Sequence, residues 1–294
     1  MLTRASRQFS RFVIYAAAIM TTALASSSLF AYTDLYRLSW TDDPSTTMTV
    51  GWRQLNPNAT DLRVEFRLRG SLATWNTNTS VVSRDFQNTV HGVQDILRNR
   101  FVKLTGLQSH ADYEFRICDS DGCSTRYMWF RTAPANPQPV SFVAGGDSRR
   151  ESSGGFFLND LARKNGFKLV SRIRPLFVLF SGDFMNDGTF EEWLVWLDEW
   201  QLTQSSDGRM YPIVPTHGNH ENDAVNMVQS IFNTEDPAGA GFYGSYNALS
   251  FGGDMLRIWT LNTELEPASP CDTDGGGYST VGATTNSSIS NTQT

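Results

Sequence analysis

Three apolar runs in the second half of the chain each lead straight into a glycine and then an oxygen-bearing side chain. Val140-Ser-Phe-Val-Ala144 enters Gly145-Gly-Asp147. Leu176-Phe-Val-Leu-Phe180 enters Ser181-Gly-Asp183. Tyr211-Pro-Ile-Val-Pro215 enters Thr216-His-Gly-Asn-His-Glu221. The middle run is apolar throughout, which demands burial on both faces, as in a parallel sheet. Between the runs, Phe156 to Arg172 reads as a helix with one internal glycine, Gly166. Thr189-Phe-Glu-Glu192 is a capping-box start for a helix that continues from Trp193 to Leu202. Met255 to Leu261 reads as a fourth strand. Strand, loop, helix, strand is the order of an α/β domain, in which the polar site forms beyond the carboxyl ends of the strands.

The first half follows a different rule. Thr47-Met-Thr-Val-Gly-Trp52, Leu62-Arg-Val-Glu-Phe-Arg-Leu68 and Tyr113-Glu-Phe-Arg-Ile117 alternate with period two, and no stretch from Tyr36 to Ala133 holds a long helical period. Such spacing suits a β-sandwich. Ala133-Pro-Ala-Asn-Pro-Gln-Pro139 then reads as a short, stiff linker. The expected organisation is multidomain: an all-β sandwich over 36–133, a linker over 134–139 and an α/β domain over 140–265.

The termini read differently again. Arg4, Arg7 and Arg11 precede an apolar stretch from Phe12 to Ala25 with no acid among them. Ala23-Leu-Ala25 fits a small-residue cleavage site, and cleavage after Ala31 is the second option. This layout predicts a signal peptide over 1–25 and a secreted, periplasmic or extracellular protein. The rival reading is an uncleaved anchor, but the run falls short of the roughly 18 residues a spanning helix needs. The net charge is −6 and the remainder is more acidic still, which argues against binding nucleic acid or an anionic membrane through a general field. Residues 266–294 collapse into Gly, Ser, Thr and Asn, too poor in large apolar groups to offset ordering entropy, and read as disordered. Cys118 and Cys123 flank an Asp121-Gly122 turn between strand-like runs, so a disulfide is expected in an exported protein, with two free thiols as the alternative. Cys271 is left over in the tail.

The three strand-end loops deliver Asp147, Asp183, Asn219 and His220. Oxygen donors with an imidazole suit a Zn, Fe or Mn centre better than a soft site. One Gly-Asp turn means little alone, but three in order with Gly218-Asn-His-Glu221 last are specific. The set resembles the calcineurin-like metallophosphoesterase family. Arg37 to Trp52 and Phe130-Arg-Thr-Ala-Pro134 are similar to the opening and exit of the fibronectin type III-like domain that precedes the catalytic domain in purple acid phosphatases. The resemblance implies two metal ions, with Asp147 on the first, Asp183 bridging and Asn219 on the second through its amide. It implies a metal-bound hydroxide as nucleophile, His220 beside the leaving-group oxygen, and a phosphate ester as substrate. Arg149 reads either as a contact to a phosphate oxygen or as a solvated charge. Glu221 reads as a structural hydrogen-bonder, and Trp193, Trp196 and Trp200 as core. His217, His91 and His110 read as outside the chemistry.

Two departures from that pattern follow. The tyrosine that purple acid phosphatases carry three residues after the bridging aspartate is Asn186 here, and the histidine that many relatives carry two residues after the first aspartate is Arg149. The family's further histidine ligands lie downstream of a strand like Met255 to Leu261, and none of the four histidines follows His220. The expectation is therefore an exported phosphoesterase of acid-phosphatase type whose α/β domain is truncated and of low or no activity. The alternative is a non-catalytic binding or surface protein with a degenerate phosphoesterase domain.

Overall fold

The structure, a computed structural model, describes residues 30–90, 93–149, 160–186, 188–221, 227–234 and 247–261. The expected signal peptide, the tail with Cys271, and His91 lie outside the described residues.

Nine strands build the first half: β1 (Thr33–Ser39), β2 (Met48–Gln54), β3 (Arg63–Leu68), β4 (Asn76–Asn78), β5 (Val81–Val90), β6 (Val93–Leu104), β7 (Asp112–Asp119), β8 (Gly122–Cys123) and β9 (Met128–Arg131). One sheet runs β1-β2-β6-β5, the other β4-β3-β7-β8, with β9 also on β7. Alternation puts Val50 and Trp52 of β2 and Val102 of β6 against Val64 of β3, Phe115 and Ile117 of β7 and Phe130 of β9. Each such side chain, fully buried, contributes about 1.5–3 kcal/mol. Cys118 and Cys123 face each other across the β7–β8 turn and are joined by a disulfide.

The second half contains β10 (Phe142–Gly145), α1 (Asp160–Ile173), β11 (Phe177–Phe180), α2 (Phe190–Trp200), β12 (Pro212–Pro215), α3 (Met227–Phe232), β13 (Asn247–Phe251) and β14 (Leu256–Thr260). β10, β11 and β12 are adjacent and parallel. The capping box at α2 is formed: Thr189 Oγ1 accepts from the Glu192 amide, and the Glu192 carboxylate accepts from the Thr189 amide. The spacing of Trp193, Trp196 and Trp200 turns all three to one side of α2, where they are buried with Phe167 and Val170 of α1 and with Val178, Phe180 and Ile213 of the sheet.

Two expectations need correction. The linker at 134–139 does not separate two independent sheets, because β1 pairs in parallel with β12 through Leu38↔Pro212 and Ser39↔Ile213. The result is one seven-stranded sheet, β10-β11-β12-β1-β2-β6-β5, in which two open strand edges satisfy each other. The halves interlock elsewhere too. Arg37, Ser39 and Asn99 donate to the carbonyls of Ile231, Phe232 and Ser230 at the end of α3, groups that a helix leaves unpaired. Second, the strand expected at Met255 to Leu261 does not extend the parallel sheet. It is β14 of an antiparallel hairpin with β13, and Leu249, Phe251 and Ile258 of that hairpin join the core around Trp40 and Phe177. The hairpin and Trp40 also bury Phe177, stacked on Phe251 at 4.6 Å, whereas Phe142 of the edge strand β10 is 41% exposed.

Candidate active site

The three loops that follow β10, β11 and β12 are stitched into one unit by their backbones. Asp147 N donates to Gly182 O at 3.0 Å and Ser148 N to Asp183 O at 2.9 Å. Thr216 N donates to Phe180 O at 2.8 Å. Asp147 and Asp183 share a left-handed backbone, each with φ 54°. Aspartate tolerates that region better than most residues, and such conformations cluster at functional sites. Glycine is required at 218 for room rather than for turning: a Cβ there would lie 2.5 Å from Asp183 N and 2.2 Å from its Oδ1.

Glu221 is the brace beneath this unit. Its carboxylate, fully buried, accepts from Asp183 N at 2.9 Å, Phe184 N at 2.7 Å and Gly218 N at 2.7 Å. Burial pushes its pKa up, the three amides pull it back, and the nearby Asp183 charge adds to the rise. The arrangement matches the structural role expected of it. The next donor over the brace is His220, whose amide bonds Asp183 Oδ1 at 3.2 Å and whose Nδ1 lies 2.9 Å from Asn186 O. Asn219 sits beside it, exposed, in the short 3₁₀ turn Asn219–Glu221. Both ring nitrogens of His217 are buried without a hydrogen-bond partner, and burial lowers its pKa.

The Arg149 side chain is turned inward, onto the two aspartates. Its Nη1 bonds Asp183 Oδ2 at 3.1 Å and its Nε lies 3.5 Å from Asp147 Oδ1, so one guanidinium faces both aspartates. Between them, Ser148 is clamped on three sides: its amide by Asp183 O, its Oγ by the Trp196 indole N–H at 2.9 Å, and its carbonyl by Arg163 Nη1 at 2.9 Å. Arg163 in turn pairs with buried Glu199. Sequence reasoning did not single out Ser148, Arg163 or Glu199, and no local pattern marks them, because they meet only after α1 and α2 pack. His110, exposed in the turn before β7, stands apart from the site.

Two carboxylates from neighbouring loops already hold a positive group, and an amide and an orphaned imidazole share the third loop. Among the described residues, the one trio of His, Cys, Asp or Glu side chains within 4.8 Å of one another lies elsewhere. It is Glu65 with Cys118 and Cys123, whose sulfurs are tied up in the disulfide.

Residues 34–132 match the family model of the purple acid phosphatase N-terminal domain, and residues 157–283 match that of the calcineurin-like phosphoesterases. The chain thus carries two family matches in series, a purple acid phosphatase N-terminal domain followed by a calcineurin-like phosphoesterase domain. The phosphoesterase match takes in Asp183, Asn219 and His220 and begins after Asp147 and Arg149. Two uncharacterized proteins from two strains of Mycobacterium tuberculosis are each 25% identical over 210 residues, covering 62% of this chain and 37% of their own length. The chain thus spans little more than a third of the curated relatives it matches. A solved chain from a computer-based redesign of a β-sandwich protein aligns with 36% of this chain and 94% of its own, at 17% identity and a TM-score of 0.25, too slight a likeness to bear on the fold.

Proposed function

We propose that this chain serves an exported, metal-dependent phosphomonoesterase of the acid-phosphatase type. The family supports a metallophosphoesterase acting on phosphate esters with divalent metal. The observation that carries the finer reading is the meeting of all three loops on Asp183: Ser148 N on its carbonyl, His220 N on its Oδ1 and the Glu221 carboxylate on its amide.

Asp147, Asp183 and Asn219 would hold the metal, two ions of Fe, Zn or Mn. Metal bound there would supply Lewis-acid polarisation of the ester and activation of water. The protein's own part is positional. With Nδ1–H donated to Asn186 O, His220 keeps Nε2 free to hold a proton and pass it to the departing oxygen. Export rests on the basic, apolar and small-residue order of the first 25 residues. Among the described residues no helix is long and apolar enough to cross a membrane.

The test is hydrolysis of a chromogenic phosphate monoester by this chain with added Mn, Zn or Fe. Weak metal-dependent turnover that both Asp183→Asn and His220→Gln remove is the expected result. Turnover absent with every metal, or unchanged in either variant, defeats the proposal. A second reading, a non-catalytic module, is favoured by the Arg149 guanidinium on the metal-site carboxylates. Less than one tightly held ion per chain by mass spectrometry would support it.

A further inference from the structure

We infer that Arg149 is a built-in counter-cation that competes with metal for the Asp147–Asp183 pair, so that loading requires the guanidinium to leave. The inference rests on reading the three loops as a metal site.

Both oxygens of Asp183 are engaged, Oδ1 by the His220 amide and Oδ2 by Arg149 Nη1. Each oxygen keeps a further lone pair, so the contest between guanidinium and a metal ion is over space and charge. Guanidinium has five N–H donors and no lone pair, so it cannot join the coordination shell as a histidine would. It can only occupy the carboxylates or vacate them. A divalent ion and a guanidinium within contact distance of the same two carboxylates also repel each other strongly in a part-buried site. The contact is held by its setting. Ser148, the residue before Arg149, is fixed through its amide, hydroxyl and carbonyl, and the Arg149 side chain is 24% exposed.

Isothermal titration of the full chain with Mn²⁺ alone tests this. Arg149→Gln removes the competing charge and is expected to bind Mn²⁺ at least about tenfold more tightly than the unaltered chain. Arg149→Lys keeps the charge and is expected to stay within about threefold of the unaltered chain. Asp183→Asn is expected to abolish binding. The inference is overturned if Arg149→Gln binds no more tightly, if Arg149→Lys matches Arg149→Gln, or if Asp183→Asn retains the ion. Should Arg149→Gln not fold, phenylglyoxal labelling of the unaltered chain reads the same event: Mn²⁺ should raise the reactivity of Arg149, and unchanged reactivity overturns the inference. Tighter binding without ester hydrolysis leaves this inference standing and removes the enzymatic reading. Hydrolysis with equal affinities does the reverse.

Discussion

The carboxylate of Glu221 holds the backbone of Asp183 in place, accepting its amide hydrogen at 2.9 Å from a fully buried position. The same group also holds Phe184 and Gly218, so one side chain joins the loop after β11 to the loop after β12. Glu221→Gln turns a donor toward N–H groups that need acceptors. It is expected to cost about 2–4 kcal/mol, read as a lower urea midpoint at unchanged slope. Metal affinity should fall about 10–100-fold, as is usual when a support behind a ligand is lost.

Arg163 and Glu199 form a buried pair that ties α1 to α2 and, through Ser148, to the first loop. Removing Arg163 leaves buried Glu199 with only the more exposed Lys164, 3.4 Å away, as a counter-charge. Arg163→Met is expected to lose about 3–5 kcal/mol. The double change Arg163→Met with Glu199→Met should recover at least half of that, as measured in a double-mutant cycle. Failure to recover would mean that the bond to Ser148, not the ion pair, is what matters.

The acid limb of stability should carry a signature of Glu65. Burial alone would raise its pKa, but hydrogen bonds and charge from Arg116 and Arg63 bring it below the ordinary value of 4.5. A carboxyl held low binds fewer protons folded than unfolded, so its contribution is present above pH 4.5 and is lost as pH falls through the lowered value. Glu65→Gln should cost about 1–2 kcal/mol at neutral pH and nearly nothing in acid. Urea midpoints of both chains across that range should converge as pH falls.

The disulfide closes a short loop, with its cysteines five positions apart. Loop-closure entropy for so few residues is worth about 2 kcal/mol, at the low end of the usual range. Cys118→Ser with Cys123→Ser should therefore shift the thermal midpoint by a few degrees without altering the sandwich, as seen by far-UV circular dichroism.

Much of this architecture is legible residue by residue. Period-two runs locate β2, β3 and β7, the apolar Leu176–Phe180 run locates β11, and Thr189 with Glu192 marks the start of α2. The same three glycine-led turns that suggest the site in sequence meet at Asp183 in space. What local pattern hides is set by distance along the chain. The β5–β6 hairpin is masked because one of its faces is largely polar, with Phe86 and Leu97 its anchors. Nothing near Leu38 announces a partner at Pro212. The fate of Met255–Leu261 depends on whether β13 or the parallel sheet offers the better edge, a competition invisible in seven residues. Arg149 could be placed beside the site from its position, but only the packed loops show its guanidinium on both aspartates.

The pairing of β1 with β12 also sets a timetable. During synthesis β1 emerges early, and its outer edge waits for a neighbour roughly 170 residues downstream, about 10–35 s at ordinary ribosomal speed. For that interval the newborn sandwich exposes unpaired amide and carbonyl groups to any other extended chain nearby. A nascent-chain chaperone, or a slow passage through that stretch of message, has most to offer in this window, before the strand that ends in Pro215 arrives to close it.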